Sequence, residues 1–242
     1  MTSLWLTRLV CGLGLCLSAM PVQASLIVVP NANSAADANS AIVAGVNVRY
    51  QQVYASSQFT GLGVLQITDL AFRVDSSFSS SFSPVTDHGV RVDLSTTLAA
   101  PNGLSRTFDN NVGADDTVVF AGNWTRSSAN GPGPGDTRAF DVVLVFTAPF
   151  LYDPARGNLL LDIRSPSDDV LFPAAFDAVV LSIVTSKIDA SPASAVAAGA
   201  VAPGEGLVTQ FRFTAVPEPG TLELLVLGSG ALLVTARLSR RR

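Results

Sequence analysis

Cysteine, histidine and lysine are nearly missing from this chain. Its two cysteines, Cys11 and Cys16, lie in the N-terminal apolar segment, so residues 25–216 contain none. A disulfide framework and a thiol nucleophile are thereby excluded from residues 25–216, and a zinc site, which needs several ligands, is disfavoured. A Ser-His-Asp hydrolase would have to use His88, the single histidine. The "TDHGV" around it contains no nucleophile elbow, so we interpret His88 as a solvated loop residue.

Charge is also scarce, and its balance is acidic. Charged residues make up 14% of the chain, against about 25% in an average globular protein. Residues 25–216 hold ten basic and seventeen acidic side chains, a formal charge of −7. A nucleic-acid partner, which requires a basic face, is therefore not expected. Glu205 is the one glutamate in this stretch, and the paired carboxylates of a glycosidase have few candidates. We predict that the protein is not an enzyme.

Strand-forming sequence is abundant instead. Val90, Val92 and Leu94 alternate with polar residues, which predicts a strand with one face in a core and the other in water. Leu159, Leu161 and Ile163 repeat the pattern, with Asp162 and Arg164 predicted to face outward. Phe211 and Phe213 repeat it as well, and the polar residues that alternate with them are predicted to face outward. Six such runs are rich in Val, Leu, Ile, Phe and Thr: residues 65–75, 90–97, 140–150, 158–164, 178–186 and 207–216.

Turn-forming sequence separates these runs. Residues 75–89, 127–136 and 189–206 are rich in Ser, Gly, Pro and Ala and predict loops. Many short strands joined by such loops are typical of an all-β fold made of two antiparallel sheets. We predict a single jelly-roll-like sandwich ectodomain over residues 25–215.

One loop offers oxygen ligands. "DNNVGADDTV", residues 109–118, places Asp109, Asp115 and Asp116 around Gly113. Hard oxygen donors in a tight turn suit calcium, although the spacing is not that of an EF-hand. Asx- and Gly-rich segments also serve as ordinary turns. A structural turn is the favoured interpretation and calcium the alternative.

Aromatic side chains point to a further alternative, carbohydrate binding. Most aromatics are Phe, which is typical of a core. Trp124 in "NWTRSS" has a loop-entry context, and an indole there can stack on a sugar. We therefore take Trp124 as the candidate ligand-binding residue.

The N-terminus reads as a secretory signal. Arg8 supplies a positive start, residues 9–20 are apolar, and Ala24 provides a small residue for cleavage. We predict a signal peptide over residues 1–24, cut by signal peptidase after Ala24.

The C-terminus predicts a short membrane segment. Residues 222–236 are mostly apolar, and as a helix they cover roughly 22 Å of a hydrocarbon core about 30 Å thick. A cluster of arginines follows and favours the cytoplasmic side as a stop-transfer signal. A buried terminal helix would not need these four basic residues: Arg237, Arg240, Arg241 and Arg242.

The last 27 residues resemble the PEP-CTERM sorting signal of Gram-negative bacteria. "VPEPGT" (216–221), the apolar segment and the arginine tail stand in the order of that signal. The resemblance implies that an exosortase, a membrane transpeptidase, recognises Pro217, Glu218 and Pro219, which are substrate and not catalyst. Glu223 departs from the usual all-apolar start of the helix. "RYQQVYASSQF" and "PFLYDPARGNLLLDI" also resemble a β-domain that recurs beside this signal.

These features set the functional expectation. Proteins with this signal are exported across the inner membrane, held there transiently, and linked to exopolysaccharide or biofilm matrix. We expect a surface or extracellular matrix protein without cofactor. The alternative is a carbohydrate- or calcium-dependent binding module.

Overall fold

A computed structural model describes residues 23–42, 47–78, 80–166 and 175–216. Within these ranges the regular elements are strands and three short 3₁₀ turns. The predicted sorting motif, membrane helix and arginine tail lie outside the described residues, as does nearly all of the predicted leader. The strands are β1 (Ser25–Val29), β2 (Ser40–Ile42), β3 (Val48–Tyr54), β4 (Leu65–Phe72), β5 (Phe82–Thr97), β6 (Thr117–Ser128), β7 (Val142–Tyr152), β8 (Asn158–Ser165), β9 (Phe176–Val179), β10 (Thr185–Ala190), β11 (Ala202–Pro203), β12 (Gly206–Leu207) and β13 (Thr209–Ala215).

The strands form antiparallel sheets. One has the order β1-β13-β4-β7 and a larger one the order β11-β10-β3-β8-β5-β6, while β12, β9 and β2 make a small third sheet. Each pairing is antiparallel. The predicted all-β antiparallel architecture is confirmed. The described strands run from Ser25 to Ala215.

The main core lies between the two larger sheets. β5 and β8 contribute Val92, Leu94 and Leu161, and the opposite sheet contributes Leu70 and Phe211, all fully or almost fully buried. Val92, Leu94, Leu161 and Phe211 are inward positions that alternation predicts. The sheets therefore pack as a sandwich, with apolar side chains of both faces in one cluster.

Part of the outer face of the larger sheet is also covered, contrary to expectation. Asp93, Ser95 and Asp162 were expected to face water, yet they are 2%, 1% and 2% exposed. The chain after β5 folds back over this face, where Phe108 packs with Leu160 in a second apolar cluster. The expectation was wrong because alternation identifies two faces but does not show that a connecting loop covers one of them.

Two loop and strand boundaries also differ from prediction. β5 begins at Phe82, so His88 is an exposed strand residue beside a β-bulge and not a loop residue. The run predicted as one strand over residues 178–186 is divided between β9 and β10. Leu181 between them has a φ of 60°, a left-handed conformation that ends a strand.

The described part of the chain contains no helix that is long and apolar enough to cross a membrane.

Candidate functional site

A group of carboxylates lies where β4 ends and β9 begins. Beyond β4 the chain continues antiparallel to the start of β9: the Asp75 N–H donates to the Ala175 carbonyl at 3.0 Å, and the Asp177 N–H donates to the Arg73 carbonyl at 3.1 Å. Val74 and Phe176 form a bridge between them. This short pairing brings Asp75 and Asp177 together although about a hundred residues separate them in sequence.

The third carboxylate comes from the segment between β1 and β2. The Ala38 N–H donates to Asp177 Oδ1 at 3.1 Å, which fixes the segment and places Asp37 at the site. Carboxylate oxygens of Asp37, Asp75 and Asp177 lie within 4.8 Å of one another. Asp37 is exposed, whereas the other two are buried, so the group opens to solvent on one side.

Arg73 neutralises part of this charge. Its Nε and Nη2 each lie 2.5 Å from Asp177 Oδ2, and both side chains are fully buried. Burial raises the pKa of Asp177, the Arg73 charge opposes that shift, and the nearby Asp37 charge adds to it. Three carboxylates against one guanidinium leave the group with a formal charge of −2.

Hydrogen bonds from serines orient the remaining oxygens. Ser76 Oγ donates to Asp37 Oδ2, and the Ser77 N–H donates to Asp75 Oδ1 at 2.9 Å. Carboxylate oxygens in a net negative group with an open side are the ligand type that calcium takes, at distances of about 2.3–2.6 Å. Among the described residues, Asp37, Asp75 and Asp177 are therefore the candidates to hold a divalent cation.

The loop of residues 109–118, for which calcium binding was the alternative interpretation, has a different arrangement. Asp109 Oδ1 accepts from Arg49 Nη2 at 3.1 Å, and Asp115 Oδ1 accepts from the Thr96 N–H at 2.7 Å. Asp116 is exposed; partial burial and the charges of Asp93 and Asp162 raise its pKa. Among the described residues, the close group of carboxylates consists of Asp37, Asp75 and Asp177, and Asp109, Asp115 and Asp116 do not form such a group.

That loop instead closes over the larger sheet. Asn111 is 1% exposed and donates from Nδ2 to Gln51 Oε1 at 3.0 Å. A Cβ at Gly113 would stand 1.8 Å from the Thr96 carbonyl oxygen, so the loop approaches the strand too closely for a side chain there. These contacts support the interpretation of residues 109–118 as a structural turn.

Beneath the loop lies a buried ionic network. Asp162 accepts from Arg49 Nη2 at 2.7 Å, from Gln51 Nε2 at 2.9 Å and from Arg164 Nη2 at 3.3 Å. Burial lowers the pKa of Arg49, but the hydrogen bonds and charges of Asp162 and Asp109 outweigh this and raise it. These donors tie the buried Asp162 carboxylate to two strands of the larger sheet, and we assign it a structural role.

Trp124 lies inside β6 and not at a loop entry, so that prediction was wrong. The side chain is 9% exposed and belongs to the core. Its indole N–H donates to the Val143 carbonyl at 3.0 Å, and the Arg126 guanidinium lies 5.5 Å from its ring centre. The ring presents no open face on which a sugar could stack.

The remaining predicted residues lie at the ends of the described chain. Ala24 is exposed and directly precedes β1. Pro217, Glu218, Pro219 and the four terminal arginines lie outside the described residues. The two segments that resemble a recurring β-domain contain β3 and β8, and these strands pair. The loop after β3 and the loop before β8 line a groove of about 500 Å³.

No protein-family model, curated protein or solved structure matches this chain.

The carboxylate group was missed at the level of sequence. Asp37, Asp75 and Asp177 occur in "ADANS", "VDSSF" and "FDAVV", each an ordinary single aspartate. Calcium motifs are recognisable when their ligands are close in sequence. These three are brought together by strand pairing alone, so no local signal was present.

Proposed function

We propose that this protein is exported, cut at its C-terminal Pro-Glu-Pro motif by an exosortase, and released as a non-enzymatic component of the cell surface or extracellular matrix. The observation that carries the proposal is the order of motif, apolar segment and arginine tail over residues 216–242. Exopolysaccharide is the partner class that the resemblance implies.

The position of the folded domain supports this role. β1 begins directly after the predicted leader, and β13 ends directly before the motif. β1 and β13 pair antiparallel, with Ser25 opposite Phe213. The predicted leader and the predicted sorting signal are therefore attached to the domain next to each other, at the same end of one sheet. This arrangement is compatible with a precursor that is held at a membrane.

Localisation tests the proposal. The full chain is expressed in cells with and without the sorting protease, with a variant lacking residues 217–219 as the control. We expect release to the surface or medium with the protease, and membrane retention in its absence or in the control. Equal release in all cases would refute the sorting role.

A calcium-dependent binding module is the second candidate, favoured by the carboxylate group of Asp37, Asp75 and Asp177. A cation there would join the β1–β2 and β4–β5 segments to strand β9 and so order this end of the domain. Calcium titration of residues 25–216 tests this candidate. If calcium does not change the melting temperature of the domain, the site does not bind calcium.

We further infer that the sandwich is a jelly roll. Counting β1, β3 to β8 and β13 as eight strands, the two sheets have the orders 1-8-3-6 and 2-7-4-5. This is the double Greek-key order of a jelly roll, with β2 and β9 to β12 as insertions. Jelly rolls occur in lectins, but the fold alone assigns no ligand. An experimental structure with another strand order would overturn the inference.

A further inference from the structure

The end of β13 has one open edge. β13 lies between β1 and β4, but β1 pairs with it no further than Ser25 opposite Phe213. On the other side, pairing with β4 continues to Ala215 opposite Leu65. Gln23 and Ala24, which precede β1, have no strand structure. Within the described chain, the last residues of β13 are therefore paired on one side.

Backbone direction shows which groups face that edge. The Val216 N–H donates to the Val64 carbonyl at 2.8 Å, toward β4. Successive residues of a strand direct their N–H and C=O groups to opposite sides. The N–H and C=O of Ala215 therefore point away from β4, toward the open edge.

This edge lies directly beside the predicted cutting site. Pro219 is three residues beyond Val216, and three residues span at most about 11 Å. The end of β13 therefore lies within reach of a protease that closes on Pro-Glu-Pro. Continuing the register of β1 would place Gln23 opposite Ala215, and cleavage after Ala24 removes that residue. Loss of the leader thus leaves the edge clear.

We propose that Thr214–Val216 form a strand-addition site at which the sorting protease binds, through an extended segment that pairs with the Ala215 N–H and C=O while Pro-Glu-Pro enters its active site. An open strand edge is a template for such pairing, and main-chain hydrogen bonds supply the affinity. The proposal rests on the sorting role proposed above and adds to it the surface that the protease reads.

Ala215→Pro tests the proposal in the full chain. Proline removes the outward N–H and leaves the Val216 bond to Val64 in place, and edge positions tolerate it. Ala215→Ser is the matched control because it keeps the N–H. In cells that contain the sorting protease, we expect pulse-chase labelling to show cutting of Ala215→Pro slowed about three- to tenfold, the worth of one hydrogen bond, with Ala215→Ser cut at the wild-type rate.

Three results would overturn the proposal. The first is equal cutting of Ala215→Pro and Ala215→Ser while the variant lacking residues 217–219 stays uncut. That result refutes the strand-addition site but not the sorting role. The second is a loss of resistance to general proteolysis in the Ala215→Pro precursor. The domain would then have lost stability, which means that the Ala215 N–H has a partner inside the domain. The third is a dimer of the domain that Ala215→Pro dissociates without slowing the cut, since a second copy would be the occupant.

Discussion

Replacing Asp162 with asparagine should strongly destabilise the domain. The amide has the shape of the carboxylate, but it carries no charge and turns an N–H₂ group toward the donors of Arg49 and Gln51. Arg49 is 5% exposed, and its other carboxylate partner, Asp109, is 75% exposed. Removing one partner of a buried ion pair costs about 3–5 kcal/mol. Relief of repulsion from Asp93, which stands opposite Asp162, returns only about 0.2–1 kcal/mol. The loss therefore dominates.

Urea unfolding of residues 25–216 measures the effect. Trp124 is the one tryptophan in this range, and because it is buried its fluorescence reports unfolding. With a slope of about 2 kcal/mol per molar urea, the midpoint should fall by about 1.5–2.5 M. Asp189→Asn is the control, because Asp189 is 44% exposed in its pair with Lys187 and such pairs contribute about 0–1 kcal/mol. An Asp162→Asn midpoint within about 0.5 M of wild type would refute the assigned network.

Three further predictions follow from the same structure. Asp116→Asn should stabilise the calcium-free domain at pH 7, and urea titrations should show that this gain is lost near pH 3. The pKa of Asp116 in the folded domain is raised above the ordinary value of 3.8, so the wild type loses stability as the pH rises through that pKa. A difference in stability that does not depend on pH would contradict this. Calcium at 100 times its dissociation constant should stabilise the wild type by about 2.7 kcal/mol, seen calorimetrically as a melting shift of about 5–10 °C, and Asp75→Asn should abolish the shift. Trp124→Ala should cost about 3–5 kcal/mol in unfolding free energy, whereas a fully stable variant would mean that the ring is not in the core.

Buried Arg–Asp pairs hold together segments that are distant in sequence within residues 25–216, a stretch without cysteine. Arg73 and Asp177 are 104 residues apart, and Arg49 and Asp162 are 113 residues apart. Such pairs add little net stability compared with apolar packing, since both charges lose water. They are costly to break, however, and so oppose misaligned strand pairings.

Sequence patterns predicted one side of this fold well. The alternation of Val90, Val92 and Leu94 identified the core face of β5, because the period of a strand is the same wherever it lies. It failed for Asp93 and Asp162, since burial of the second face depends on a loop whose covering position is set by tertiary contacts such as that of Asn111 with Gln51.

The candidate site was less predictable than the fold. Trp124 was assigned to a loop from its polar neighbours, but alternation within β6 turns the adjacent Asn123 and Thr125 outward and the indole inward. The carboxylate group depends on the pairing of residues 73–75 with 175–177, a long-range contact that composition and spacing do not encode.

The mass of the extracellular protein tests the central claim most directly. If the chain is exported and sorted as proposed, the intact mass will correspond to an N-terminus at Ser25 and a C-terminus at the Pro-Glu-Pro motif, with the apolar segment and arginines absent. A secreted form that begins at Met1 or still ends at Arg242 would contradict the account.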